Sequence, residues 1–427
     1  MAKTLTLPPA KLGYYLLPLA GNGCTLLLTT LNQHSRYGHM RKPDVYLQVT
    51  KVGFDYGLLN LKVVLGVDSP FKLVYIGLAH GTLQVTCNAG TDAHFLSEHA
   101  YMALRHLMHF DQEVDLTCYN WFDFFEPGQK RSKYLDVICD RLGLTIALKA
   151  KYLAFWKPGM ALVALAAAPV KLLLLNAPPL AMPVLKNALA FGYLLADPCF
   201  VNGQCIHLPF LLPYLGIFNR AGTGVKAFKC LLGVNDSAGV ELTERQVELN
   251  AIAFNMADIA RKPHFKLRPG TKRMDSAEQP DLDTLQLVFK CWHHALPLLQ
   301  GQPYLRFYLS GHIQPGYARP KWRNTAACNI LFEVPKLCFS WRDKGAYYEL
   351  RLRFKVGEVV FDPYMYAPVF FIRPATMPEN FYLLDSLQDV DLVRFFYGYG
   401  YGLSILKVHE EWFEVFLEGL KAGYEFL

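Results

Sequence analysis

Lys336-Leu337-Cys338-Phe339-Ser340-Trp341, the turn Asp343-Lys344-Gly345, and then Tyr348-Glu349-Leu350-Arg351-Leu352-Arg353-Phe354-Lys355-Val356 form the stretch that decides the fold class. In its second arm Tyr348, Leu350, Leu352, Phe354 and Val356 alternate with Glu349, Arg351, Arg353 and Lys355. A period of two is the signature of a strand with one face in a core. The pattern predicts two strands joined by a tight turn, with a basic face toward solvent.

Helical signals surround it. Ser386-Leu387-Gln388-Asp389 opens a helix running to about Phe396, and residues 403–408 read as a short strand. Residues 410–420 form an amphipathic helix that buries Phe413, Phe416, Leu417 and Leu420. Upstream, residues 283–299 read as a helix bent or ended at Pro297. Further back, Thr243 with Gln246 three residues later marks the start of a helix over 243–260, with Val247, Ala251, Phe254 and Ile259 near one face. Residues 162–165 and 172–175 are strand-like, and 185–195 fits either a helix or a strand.

In the first third, strands are expected at 45–49, 61–67, 72–76 and 84–87, the last two split at Gly81. A helix follows over 97–110, with Ser97 as N-cap and Tyr101, Leu104, Leu107 and Met108 apolar; a second is expected over 134–142, ended by Gly143. The whole reads as a multi-domain α+β protein with mixed, mostly antiparallel sheets and packed helices. The expected domains are 1–150, 151–260 and 281–427, with 261–280 as a basic linker or loop.

The 427 residues are 52% hydrophobic and 19% charged, which excludes a disordered chain and allows more than one core. The ten cysteines, from Cys24 to Cys338, include no Cys-x-x-Cys pair and read as reduced thiols of a cytoplasmic protein. Met1-Ala2-Lys3-Thr4-Leu5 lacks the apolar core of a signal peptide. The most apolar stretch, 160–185, contains Lys171 and is broken by Pro169, Pro178, Pro179 and Pro183, so it reads as buried strands and turns rather than a membrane helix.

Net charge is +7, and the cations cluster. Arg261, Lys262, Lys266, Arg268, Lys272 and Arg273 fall in one acid-free run around Phe265. Arg319, Lys321, Trp322 and Arg323 repeat the mixture, and smaller versions lie at 36–42 and 130–134. Cations along a surface neutralise phosphates, and an aromatic among them can stack on an unpaired base. The competing reading is solvated loops that keep the protein soluble.

Other chemistry has weak support. Neither Gly21-Asn22-Gly23-Cys24 nor Gly222-Thr223-Gly224-Val225-Lys226 has the spacing of a phosphate-cradling loop. There is no Gly-x-Ser-x-Gly elbow. His99, His106 and His109 share one helix without a His-Glu-x-x-His arrangement, and Cys199, Cys205 and His207 lack zinc-ribbon spacing. No catalytic residue, metal or cofactor is expected. The run Phe395-Phe396-Tyr397-Gly398-Tyr399-Gly400-Tyr401-Gly402 reads as core packing with a helix C-cap, or as a contact surface.

A string of short segments carries a family resemblance across residues 285–427. These are Ala295-Leu296-Pro297-Leu298-Leu299-Gln300-Gly301-Gln302-Pro303, Val334-Pro335-Lys336-Leu337-Cys338-Phe339, Tyr347-Tyr348-Glu349-Leu350-Arg351-Leu352, Phe381-Tyr382-Leu383-Leu384-Asp385-Ser386, Phe413-Glu414-Val415-Phe416-Leu417 and Gly423-Tyr424-Glu425-Phe426. In these the chain resembles the region preceding the motor of bacterial SWI/SNF-family helicase-like ATPases. The resemblance implies a non-catalytic, helicase-associated accessory module in the cytoplasm. Its partners would be DNA and the two motor lobes, in cis or in trans. The lobes themselves have no counterpart in this sequence, so no ATPase activity is expected of it. The alternatives are a free-standing protein-interaction module, using the aromatics near Tyr397–Tyr401, and a metal-dependent hydrolase built on the histidines.

Overall fold

The structure, a computed structural model, describes residues 13–21, 23–38, 46–79, 81–90, 94–141, 143–165, 189–198, 208–222, 224–233, 240–261, 282–310 and 321–427. In chain order the first elements are β1 (Tyr15–Pro18), β2 (Thr25–Leu27), α1 (Leu28–Gln33), β3 (Leu47–Asp55), β4 (Leu58–Leu65), β5 (Lys72–Ala79) and β6 (Thr82–Cys87). Next come α2 (Glu98–Leu107), β7 (Glu113–Asp115), β8 (Leu135–Asp140), β9 (Gly143–Leu148) and β10 (Phe155–Trp156). The middle supplies β11 (Ala190–Pro198), β12 (Phe210–Phe218), β13 (Val225–Leu231), α3 (Glu244–Arg261), α4 (Leu282–Leu299), β14 (Leu305–Ser310), β15 (Thr325–Ala327) and β16 (Asn329–Leu331). The rest is β17 (Lys336–Asp343), β18 (Tyr347–Val356), β19 (Val359–Phe361), β20 (Phe371–Ile372), β21 (Asn380–Leu383), α5 (Leu387–Tyr397), β22 (Gly402–Leu406), α6 (Glu410–Gly423) and β23 (Glu425–Phe426). This is a multi-domain α+β fold.

The chain divides into two compact units, 1–161 with 404–413, and 162–403 with 414–427. The first unit is built on an antiparallel sheet of order β1-β6-β5-β4-β3. Tyr56 and Gly57 both have positive φ, the two-residue turn whose twist suits the β3–β4 hairpin. Leu59, Leu61 and Val63 of β4, Val74, Ile76 and Leu78 of β5, and Leu83 and Val85 of β6 are buried in one cluster with Tyr101 and Leu104 of α2. The Ser97 hydroxyl accepts from the Ala100 N–H (3.2 Å), capping α2 as the sequence predicts. The expected helix over 134–142 is instead the β8–β9 hairpin, register Leu135↔Leu148 to Asp140↔Gly143. Val137 and Ile138 are β-branched, and Gly143 takes φ +125, which turns the chain back. Phe155 and Trp156 of β10 pair in parallel with Ser404 and Ile405.

In the second unit a five-stranded sheet has the order β13-β12-β11-β14-β15. β11 pairs in parallel with β14, from Tyr193↔Leu305 to Pro198↔Ser310. One face packs on α3 and α4: the buried Tyr193 hydroxyl donates to Asn250 Oδ1 (3.0 Å), and the buried Trp292 Nε1–H donates to the Pro209 carbonyl (2.9 Å). This parallel pairing joins residues expected in separate domains, 151–260 and 281–427, so the units do not divide there. The helix over 243–260 forms with its capping box: Gln246 N–H donates to Thr243 Oγ1 (3.2 Å) and Thr243 N–H to Gln246 Oε1 (3.1 Å). Of the expected apolar face, Ile259 is buried and Phe254 half-buried, whereas Val247 and Ala251 are exposed. Gln246, Leu249, Asn250, Ala253, Met256 and Ala257 face inward, while Val247 is 56% exposed. Polar Gln246 and Asn250 are taken inside by hydrogen bonds that apolar periodicity does not register. Thr243→Ala is expected to cost about 1 kcal/mol, read as a lower denaturation midpoint at constant m-value; an unchanged midpoint would mean the box does not form.

The β17–β18 hairpin has the register Lys336↔Lys355 to Asp343↔Tyr348, with Gly345 at φ +83 in its turn. Leu350, Leu352 and Phe354 are buried as the alternation predicts. The cations of β18 and the turn on its polar face are paired with acids, while Lys336 and Arg342 of β17 stay exposed. Lys344 and Arg351 lie 3.7 Å from Glu349, Arg353 lies 2.9 Å from Asp362, and Lys355 lies 3.3 Å from Glu358 and 3.9 Å from Glu425. β23 pairs in parallel with β17, and β16, β21 and β20 form a small separate sheet. The Ser386 hydroxyl accepts from the Asp389 N–H (3.1 Å) and caps α5. At the other end of α5 the Tyr401 N–H donates to the Phe396 carbonyl (2.7 Å), and Phe396 is buried against Phe339. The aromatic run therefore closes a helix and fills a core, leaving Tyr397 exposed. Among the described residues no helix is long and apolar enough to cross a membrane.

Candidate nucleic-acid interface

Of the cations singled out in the sequence, Lys262, Lys266, Arg268, Lys272, Arg273 and Arg319 lie outside the described residues, and Arg261 is the last residue of α3. Lys321, Trp322 and Arg323 lie where a single 3₁₀ turn, Trp322–Asn324, leads into β15. The smaller basic stretch at 130–134 is tied to acids: Lys130 lies 3.8 Å from Asp55 and Lys133 lies 2.6 Å from Glu126.

Trp322 lies on the face of the five-stranded sheet opposite α3 and α4. Register sets the side chains of that face: Leu194 of β11 is opposite Arg306 of β14 and Leu212 of β12, and Gly192 is opposite Tyr214. Leu194, Tyr214 and Tyr308 are buried there, with Phe228, Leu231, Tyr304 and Trp322 half-buried around them. Trp322 meets Phe228 edge-on at 4.9 Å and Tyr214 at 6.2 Å. The Arg306 guanidinium lies 3.8 Å from the centre of the Trp322 ring. Two hydrogen bonds of 2.6 Å, from its Nε to Thr325 Oγ1 and its Nη2 to the Thr325 carbonyl, hold it flat. Burial lowers the Arg306 pKa, while the neighbouring Tyr214 and Cys328 favour its charged form.

Exposed cations surround this cluster. Arg220 sits in the β12–β13 connection, Lys226 and Lys229 on the edge strand β13, and Lys321 and Arg323 beside the tryptophan. None of them pairs with a carboxylate among the described residues. The segments that supply the aromatics and cations of this face, 198–235 and 284–332, contain no Asp or Glu, and Asp197 of the remaining strand β11 is bonded to Tyr366. Sequence reasoning found Lys321, Trp322 and Arg323 but missed Arg306, Tyr214 and Phe228, which contribute from distant strands. The acid-free runs are the signal that would have pointed to them.

Burial lowers the pKa of both His99 and His106, and burial pushes His293 down to about 4, keeping it neutral. Among the described residues no three His, Cys, Asp or Glu side chains are grouped to hold a metal ion; Cys199, Cys205 and His207 lie outside them. The chain matches no family model, no curated protein and no solved structure.

Proposed function

We propose that this protein is a non-catalytic nucleic-acid-binding module whose contact surface is the sheet face around Trp322. What carries this reading is the combination on that face of Arg306 stacked on Trp322 and exposed cations without acidic partners among the described residues, drawn from segments 198–235 and 284–332 that hold no Asp or Glu. A sheet backed by helices on one side and bearing aromatics with arginine on the other suits unpaired strands, since bases stack on rings or guanidinium planes and lysines follow the phosphates. The resemblance of residues 285–427 to the accessory region of SWI/SNF-family ATPases fits DNA as the nucleic acid and a motor as the further partner.

The test is fluorescence anisotropy of the full chain with labelled oligo-dT and duplex DNA at about 50 and 200 mM salt. The expected result is salt-sensitive binding with single strands preferred. A Lys226→Ala, Lys229→Ala, Lys321→Ala, Arg323→Ala variant should weaken oligo-dT binding at least tenfold and reduce the log–log salt slope by about 2–3. Absence of binding at low salt sinks the reading and turns it toward protein docking. Equal binding by wild type and variant moves the contact off this face.

A further inference from the structure

The first unit contains a cavity of about 270 Å³ whose lining includes Asn120, Asp123, Phe124, Lys157, His409 and Trp412. One water needs roughly 10–15 Å³ on this measure, so the space suits an organic molecule of a few carbons rather than a lone solvent molecule.

Lys157 is placed by a tight turn. Lys157-Pro158-Gly159-Met160 has proline second, Gly159 third at φ +87, and a hydrogen bond from the Met160 N–H to the Lys157 carbonyl (3.0 Å). This is the arrangement of a type II turn, with glycine where positive φ is required. The side chain is only 8% exposed. Its ammonium donates to the Asn120 carbonyl (3.0 Å) and lies 3.8 Å from the centre of the Trp121 ring. Among the described residues no carboxylate pairs with it. The cavity's own carboxylate, Asp123, is held by His409, whose Nε2 lies 2.9 Å from Asp123 Oδ2. A carboxylate accepts, so Nε2 carries the proton, and His409 Nδ1 has no hydrogen-bond partner among the described residues. Buried cations are normally paired with an anion, and this one lines an open space instead.

We infer that this cavity binds a small organic carboxylate, its carboxylate group pairing with the Lys157 ammonium and its apolar body lying against Phe124 and Trp412. A bare inorganic anion would leave those rings unused, and a neutral ligand would leave the ammonium without a counter-charge. Burial lowers the Lys157 pKa to about 8, with the Cys24 and Cys118 thiols acting weakly the other way. The ammonium is therefore the main form near neutrality, and a bound carboxylate would hold the proton on it. Affinity should fall as pH rises above about 8, because a decreasing fraction of the protein carries the charge the ligand needs.

The experiment titrates the full chain with sodium benzoate by calorimetry at pH 7 and about 9.5, beside benzamide, inorganic phosphate and the Lys157→Met variant. Saturable benzoate binding is expected at pH 7, weakened at least tenfold for benzamide, for phosphate and for Lys157→Met. At about pH 9.5 wild-type affinity should drop roughly tenfold or more. The other ionisable side chains facing Lys157, namely Cys24, Cys118, Asp123 and His409, are common to wild type and variant, so the difference between the two isolates the lysine. Four results overturn the inference: no saturable benzoate binding, equal binding of benzamide, equal binding by folded Lys157→Met, or phosphate binding as tight as benzoate.

Discussion

Gly192→Ala is expected to destabilise the second unit by about 3 kcal/mol or more, at the severe end for a single methyl group. Gly192 lies on β11, the middle strand of the five-stranded sheet, and a Cβ there would come within 2.4 Å of the Tyr304 carbonyl oxygen and 2.7 Å of the Tyr214 phenol. Neither neighbour can yield cheaply. The Tyr304 carbonyl accepts from the Tyr193 N–H (3.1 Å) and from the Tyr214 hydroxyl (3.0 Å), one residue before the β14 register begins. Tyr214 is fully buried and packs on Phe228 and Trp322. The reduced backbone entropy of the unfolded chain that alanine brings is worth only about 0.5–1 kcal/mol. Chemical denaturation followed by circular dichroism measures the loss, and a change under about 1 kcal/mol would show that the Tyr304 carbonyl does not crowd this position of β11. The substitution should also weaken oligo-dT binding, since moving Tyr214 moves the tryptophan beside it. By contrast, a Cβ at Gly216 would meet mainly a Val225 methyl at 2.4 Å, a side-chain contact with more room to adjust.

Lys157→Met is expected to stabilise the first unit at pH 7 by about 1–2 kcal/mol, with a gain that disappears as pH rises. The folded-state pKa is lowered to about 8, against an ordinary lysine value near 10.4. Below pH 8 both folded and unfolded chains carry the proton, and the folded state bears the whole desolvation cost, roughly 3 kcal/mol at 1.36 kcal/mol for each pH unit. Between about pH 8 and 10.5 the unfolded chain holds a proton that the folded chain has released, so wild-type stability from this group increases with pH. Methionine removes the cost at every pH but gives up the hydrogen bond to Asn120 and the contact with Trp121, together about 1–2 kcal/mol. The two denaturation curves should therefore approach each other across that window and meet or cross near its upper end. A constant separation from pH 7 to 10.5 would show that the Lys157 ammonium is solvated, and with it would go the reason to expect a counter-ion in the cavity.

Elements whose signals are local were legible in the sequence. Ser97, Thr243 and Ser386 cap helices where they were expected to, because a cap is a hydrogen bond across three residues. The β17–β18 hairpin follows from alternation and a glycine turn. The helix expected over 134–142 is a strand because its partner lies just beyond it: Leu144, Ile146 and Leu148 of β9 alternate with exposed residues, and Leu144 and Ile146 pack on the core, a period of two that the 134–142 window does not contain. The inward face of α3 matches the expected one at Ile259 but not at Val247, because hydrogen bonds to partners far along the chain admit the polar Gln246 and Asn250 to the interior.

Composition and local pattern by themselves determined an α+β chain, capped helices, a clear hairpin and a basic excess with aromatics at 321–323. Which cations remain free was decided only by tertiary structure. Arg353 lost its apparent availability to Asp362 and Lys355 shares Glu425 of β23, both beyond their own strand, while Arg306 was laid on Trp322 and fixed there by two hydrogen bonds to Thr325. Likewise, nothing near Lys157 in sequence shows that it is buried without an acid, or that His409 and Asp123 share its cavity. Charge is a property of a residue, but its partner, its hydration and therefore its chemistry are set by which distant segments the fold brings within a few ångströms.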